Sequence, residues 1–144
     1  MSLSVSQLRA AVVSQVSSIS GYREIRMLPD YFERTQNTLA HKGFSVGIAT
    51  SNALPERQRR SVGLFLESVI RVKIAYRIRP SDIILDYGLA LDAENIVIGK
   101  VLASYASIQS GVELRFSRVT RFAPDSQEYL ISDIEFLAVH TTTF

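Results

Sequence analysis

The sequence predicts an α+β domain: a mainly antiparallel, four-stranded twisted sheet with helices packed on it, in the order α–loop–ββ–α–ββ, with one long projecting β-hairpin. Three observations predict it. From Ser61 to Arg79 the even positions read Val62, Leu64, Leu66, Ser68, Ile70, Val72, Ile74, Tyr76, Ile78, apolar but for one, while Glu67, Arg71, Lys73 and Arg77 fall on odd positions. That period of two belongs to a pleated strand with one buried face. Residues 3–18 and 82–105 repeat apolar side chains at steps of three and four, the period of a helix. The same strand-like alternation returns near 111–122 and 128–140.

Taken in order, the first helix is marked at its start. Ser4 and Gln7 have capping-box spacing, Leu3 is placed to staple onto Leu8, and Gly21 is a natural stop. Residues 22–42 show neither period and read as a loop with one helical turn, anchored by Tyr22, Leu28, Tyr31 and Phe32. In 43–49, Phe44, Val46 and Ile48 alternate with small residues, which makes a strand. Thr50 to Arg60, with a proline and three arginines, reads as the basic tip of a hairpin. The strand that follows would reach about 60 Å at ~3.3 Å per residue, against roughly 17–20 Å for an ordinary strand. Half of it is therefore expected to project, bend, or pair with a neighbouring chain. Pro80 ends it, and Ser81 caps a helix expected to lay Ile84, Tyr87, Leu91, Ile98 and Val101 on the sheet, with Glu94 at the stripe's edge. The third strand slips its alternation near Arg118–Val119, as at a bulge. In the fourth, Leu130, Ile134, Phe136 and Ala138 share one face, and Asp133 and Glu135 the other, opposite Arg115 or Arg71.

The totals bound the function. At 144 residues the chain makes one domain, and 47% hydrophobic against 21% charged residues fits a folded core. Sixteen basic and fourteen acidic residues leave +2, too little for nucleic-acid binding by bulk electrostatics. With no cysteine, disulfides, thiolate metal sites and cysteine nucleophiles are excluded. The N-terminus has no basic start followed by an apolar core, so no secretory signal is expected. Asp86, Asp92, Glu94 and Lys100 interrupt the most apolar helical window, so no membrane span is expected there. The expectation is a soluble protein made in a cytoplasm.

Catalytic chemistry is thinly represented. His41 and His140 have no partner at a metal or triad spacing and read as solvated or hydrogen-bonded histidines. Asp82 and Asp86 read as solvated acids of a helix's first turn. Asp133 and Glu135 alternate on a strand as the acids of some metal-dependent nucleases do, without the lysine such enzymes place after them, and a salt-bridged sheet face explains them. The glycines are dispersed and form no phosphate loop. The reading is a non-enzyme, with no cofactor and no metal; a nuclease-like domain using Asp133, Glu135 and the arginine loop stands as the alternative of another class.

GYRE at 21–24, AHKGFSVGI at 40–48, RQRRSVGLFLESVIRVKIAYRIRP at 57–80 and DYGLALDAENIVIGKVL at 86–102 resemble the tail terminator and tail-completion (neck) proteins of tailed bacteriophages. The resemblance covers most of the chain in architecture. It implies a homohexameric ring in the virion neck, assembled in the host cytoplasm, that ends growth of the tail tube and joins it to the head. The implied partners are further copies of the chain, the tail tube protein, the head–tail connector or stopper, and the sheath of a contractile tail. DNA would pass through the ring without specific binding. Head-completion and connector proteins of similar size are the alternative. The surfaces expected to meet a neighbour or partner are Arg57, Arg59 and Arg60 of the tip and Phe65, Arg71, Lys73 and Arg77 of the long strand.

Overall fold

Two helices lie on one face of a mixed five-stranded sheet in the computed structural model, whose described residues are 4–28, 39–54, 64–103, 112–124 and 128–142. Along the chain run α1 (Val5–Ser17), β1 (Arg23–Glu24), β2 (Gly43–Ala53), β3 (Leu64–Arg77), a 3-10 turn (Pro80–Asp82), α2 (Ile83–Ala103), β4 (Glu113–Phe122) and β5 (Tyr129–Thr142). The sheet order is β1-β2-β3-β5-β4. All pairings are antiparallel except β1 with β2. The α+β class therefore holds, while the four-stranded antiparallel sheet is corrected to five strands and mixed. At two residues β1 is too short for any period to show. It is set by the Arg23 and Ile25 amides, which donate to the carbonyls of Lys42 (3.2 Å) and Phe44 (2.7 Å).

The long strand is corrected too. β3 does not outrun its domain, because β5 is equally long and faces it from Leu64–Thr142 to Arg77–Tyr129. On the other side β2 faces it from Ala53–Leu66 to Gly43–Ala75. The ladder satisfies its backbone within the chain, so no neighbour is needed for that purpose. β2 also runs four residues into the stretch expected to be loop. Its polar residues 50–52 are exposed, and a register shift between Ile48 and Thr50 carries the ladder onward. The tip residues 55–60 and Ser61–Gly63 lie outside the described residues, as does the Leu3 staple.

Local signals placed the rest. The Ser4 hydroxyl accepts from the Gln7 amide (3.1 Å) and the Gln7 side chain accepts from the Ser4 amide (2.9 Å), so the capping box starts α1 as its sequence requires. Gly21 has φ of 90°, the left-handed conformation that glycine takes without penalty. β4 shifts register between Phe116 and Arg118, at the expected bulge. α2 is preceded by the 3-10 turn, whose N-cap is Arg79, so Ser81 lies inside the turn and does not cap the helix.

The core lies between helices and sheet. Leu8, Val12 and Val16 of α1 and Ala90, Val97 and Val101 of α2 meet Phe44, Val46, Ile70, Val72, Ile134 and Phe136. Each large aliphatic side chain so buried contributes about 1.5–3 kcal/mol. Arg9 ties α1 to the sheet by donating from Nε to the Val46 carbonyl at 2.8 Å. On the sheet's opposite face the described residues form a smaller cluster, with Leu39, Ala75 and Ile131 at its centre and Ile25, Met27, Phe122 and Tyr129 around it.

Candidate functional site

A helix lying on a sheet normally turns apolar residues inward and polar ones to water. α2 departs from that. Its inward residues are Asp86, Ala90, Glu94, Val97 and Val101. Its outward ones include Ile84 (85% exposed), Leu85 (57%), Leu89 (57%) and Ile96 (59%). Relative to the stripe expected from sequence, the helix is rotated so that Ile84 and Tyr87 face out and two acids face in. Glu94, expected at an edge, and Asp86, expected in solvent, are both buried.

Two arginines from outside the helix make that rotation possible. Arg121 of β4 donates to both Glu94 oxygens, at 2.9 and 3.0 Å from Nε and 2.7 Å from Nη2. The Ser132 hydroxyl also donates to Glu94. Donating to the Glu94 carboxylate raises the Arg121 pKa, so the guanidinium stays charged. At the other end, Arg79 donates to Asp86 from Nε (2.9 Å), Nη2 (3.0 Å) and its own backbone amide (2.9 Å). Those side-chain and backbone bonds hold the Asp86 carboxyl down at about 2. Buried carboxylates so paired are tolerated where lone ones would not be.

Beside α2's outer face runs a groove of about 680 Å³. One wall is apolar, from Leu89, Ala93 and Ile96, and the other is His41, Tyr76 and Arg77 at the end of the sheet. Tyr76 and Tyr22 share a hydrogen bond between their hydroxyls at 3.0 Å. Burial raises both phenol pKa values, so both stay protonated. The Lys42 ammonium lies 5.3 Å from the Tyr22 ring centre, within cation–π range. His41 accepts the Arg77 amide at Nδ1 (3.1 Å), and burial, then Lys42, lower its pKa. The imidazole is thus committed to a backbone hydrogen bond.

The sheet's other face holds a polar cleft of about 450 Å³ where Arg71, Arg118, Asp133 and Glu135 meet. Arg71 pairs with Asp133, and Arg118 lies 3.5 Å from Glu135, which also accepts from Ser117 at 3.0 Å. Both acids of the nuclease-like alternative therefore face arginines, as on a salt-bridged sheet face. Among the described residues no group of three or more histidines and acids gathers as metal ligands. His140 is fully buried, with Nε2 2.8 Å from the Ser68 hydroxyl, so it is hydrogen-bonded and not solvated.

Of the residues expected at an interface, Arg57, Arg59 and Arg60 lie outside the described residues. Phe65 and Arg71 are half-buried and Lys73 is buried, all on the face away from the helices, while Arg77 is exposed at the groove. The surface that sequence reasoning missed is the outer side of α2. Its signal was present, since Leu85, Leu89 and Ile96 make the helix apolar on all sides. No helix among the described residues is long and apolar enough to cross a membrane. Compared with protein-family models and with curated protein sequences, the chain matches none.

Proposed function

We propose that this chain is a structural subunit of a tailed-phage neck, a tail terminator that forms a ring on the head-proximal end of the tail tube, ends its growth and joins it to the head connector. The observation that carries the reading is α2's outer face. A lone globular subunit gains nothing by burying Asp86 and Glu94 while holding Ile84, Leu85, Leu89 and Ile96 in water. A subunit of an assembly does, because that face is buried when copies meet. The likeness of 21–24, 40–48, 57–80 and 86–102 to tail terminators supplies the kind of assembly.

The physical requirements agree. A terminator needs one surface for the last tube ring, another for the connector, and a closed head-to-tail ring between them. It needs self-interfaces more than an enclosed pocket. A net charge of +2 suits a ring that passes DNA without gripping it, since many phosphate contacts would hold the DNA in a salt-dependent way. The test is to omit this chain from phage assembly and image the products. Tails of uncontrolled length, or finished tails that do not join heads, are expected. Normal infectious particles lacking the chain would overturn the reading.

A further inference from the structure

We infer that the groove beside α2 receives a segment of a partner protein that carries aliphatic side chains and a carboxylate. The site goes beyond the assembly reading, because a neck role does not require it and its test uses the purified chain alone.

The two walls differ in kind. The groove's 680 Å³ falls within the roughly 300–1,000 Å³ of ordinary binding sites, and its lining residues are all among those described. On the helix side Leu89, Ala93 and Ile96 recur at steps of four and three, so they form one stripe two turns long, about 10 Å at ~1.5 Å per residue. Leu89 and Ile96 are each more than half exposed. A site for a small molecule encloses its ligand, whereas walls left this far in water are covered from outside by a macromolecule. Ile84 and Leu85 do not line the groove and are left for contact between copies.

The sheet-end wall supplies donors. Tyr76 is 1% exposed, and its hydroxyl shares a single hydrogen bond with that of Tyr22. Two hydroxyls hold two hydrogens, so one is used in that bond and the other has no acceptor among the described residues. An acceptor in the groove, which Tyr76 lines, would take it. His41 accepts the Arg77 amide at Nδ1, so the ring hydrogen sits on Nε2 and makes a second donor on the same wall. Lys42 holds φ of 63°, the left-handed region that a lysine enters at a cost. A lysine kept at such a position is explained by its ammonium, which reaches over Tyr22 and lines the groove.

Charge selects the occupant. Arg79 and Asp86 also line the groove, and they neutralise each other through their three hydrogen bonds. The Arg77 pair with Glu128 spans 3.4 Å between side chains 56% and 52% exposed, so it holds Arg77 only weakly. Lys42 pairs with no carboxylate among the described residues. Two cations on the sheet-end wall therefore face one acid, Asp92, on the helix wall. An incoming carboxylate is drawn to the first wall and repelled by the second, which fixes the segment's orientation with its aliphatic side chains against Leu89, Ala93 and Ile96. A nucleic-acid backbone would set phosphates against Asp92 and leave those apolar residues in water.

Two fluorescein-labelled synthetic peptides serve as probes, each with leucines at i, i+3, i+4 and i+7. One carries a single glutamate and the other glutamine in its place. Fluorescence anisotropy against the purified chain is expected to show the glutamate peptide bound about tenfold more tightly, the worth of one charge-assisted hydrogen bond. Lys42→Asn combined with Arg77→Gln should remove that preference and leave thermal unfolding unchanged, since asparagine tolerates the left-handed backbone. Leu89→Asp should abolish binding of both peptides. Equal binding of the two peptides, binding of neither, a preference that survives the double variant, or full binding to Leu89→Asp would each overturn the site. Displacement of the peptide by an equal concentration of 4-phenylbutyrate would overturn the partner segment in favour of a small carboxylate.

Discussion

The two helices lie on the same sheet and solve the same problem in opposite ways. α1 buries Leu8, Val12 and Val16 and shows Ser6, Gln7, Ser14 and Ser17 to water. α2 buries Asp86 and Glu94 and shows isoleucine and leucine. α1 is complete within its own subunit: its apolar stripe, its cap and its Arg9 tie to β2 are all satisfied there. α2 is stabilised inside by ion pairs that hydrophobic residues of similar volume would replace with little loss, and its apolar surface is left outside. The contrast teaches that α2's sequence answers to two environments. Its inner face fits a charged seam with Arg79 and β4, and its outer face leaves isoleucine and leucine in water.

The sharpest way to break the contrast is at the seam. Arg121→Ala leaves Glu94 buried beside Ser132 with no cation, and should cost about 3–5 kcal/mol of folding stability. Adding Glu94→Leu to that variant should return most of the loss, because the uncompensated charge is gone. Denaturant unfolding of both proteins checks this, and equal stabilities would show that the seam is not what holds α2's orientation. Next in size comes a matched pair of truncations. Leu8→Ala, at a fully buried position, should lose about 2–5 kcal/mol. Leu89→Ala should stay within about 0.5 kcal/mol in dilute protein, as a surface substitution does. A large loss at Leu89 under those conditions would mean that its own subunit already uses the outer face.

This comparison also shows what the sequence could and could not disclose. The start of α1 was legible because a capping box is spelled by residues three apart, and β3 was legible because period two needs only the strand itself. The β4 bulge showed as a slip in alternation. α2's rotation was hidden because its causes are distant: Glu94's partner is Arg121, far along the chain, and no helical period encodes that pairing. The length of β3 was visible, but its meaning depended on β5, which runs past the expected 128–140 so that Thr141 and Thr142 pair with Phe65 and Leu64. The polar end of β2 was misread for the same reason, since an edge ladder sets its backbone and leaves its side chains in water. The candidate surface was present as apolar residues all round α2, of which Ile84 and Tyr87 were expected on the sheet and Leu85, Leu89 and Ile96 were given no place.

A smaller effect, of opposite sign, tests the outer face alone. Gly88→Ala meets nothing in this chain and restores helix propensity, so it should stabilise the isolated subunit by about 0.5–1 kcal/mol. Under the proposed neck assembly, self-association measured on the same variant should weaken, because the added methyl meets nothing in this chain and is open to a neighbour. Thermal unfolding in dilute protein and sedimentation of concentrated protein separate the two consequences. Gains in both would remove the glycine from the contact.

The mildest test addresses the seam's exposed end. Arg79 is half in solvent, so its pairing with Asp86 is screened, and the effect is read as a dependence on pH. Folding lowers the Asp86 pKa to about 2, from about 3.9 for a free aspartate. A group whose native pKa is depressed favours folding where it is ionised. Its contribution is therefore complete above about pH 5 and falls away as pH drops through the native value. Asp86→Asn cannot titrate and should lack this component. The stability of the unaltered chain minus that of Asp86→Asn should be largest near neutral pH and should shrink on acidification towards about pH 2. Denaturant titrations at steps of pH read the difference directly. A gap that stays constant across the range would mean that Asp86 is ionised no more readily in the folded chain than in the unfolded one, and that the Arg79 bonds do not persist in solution.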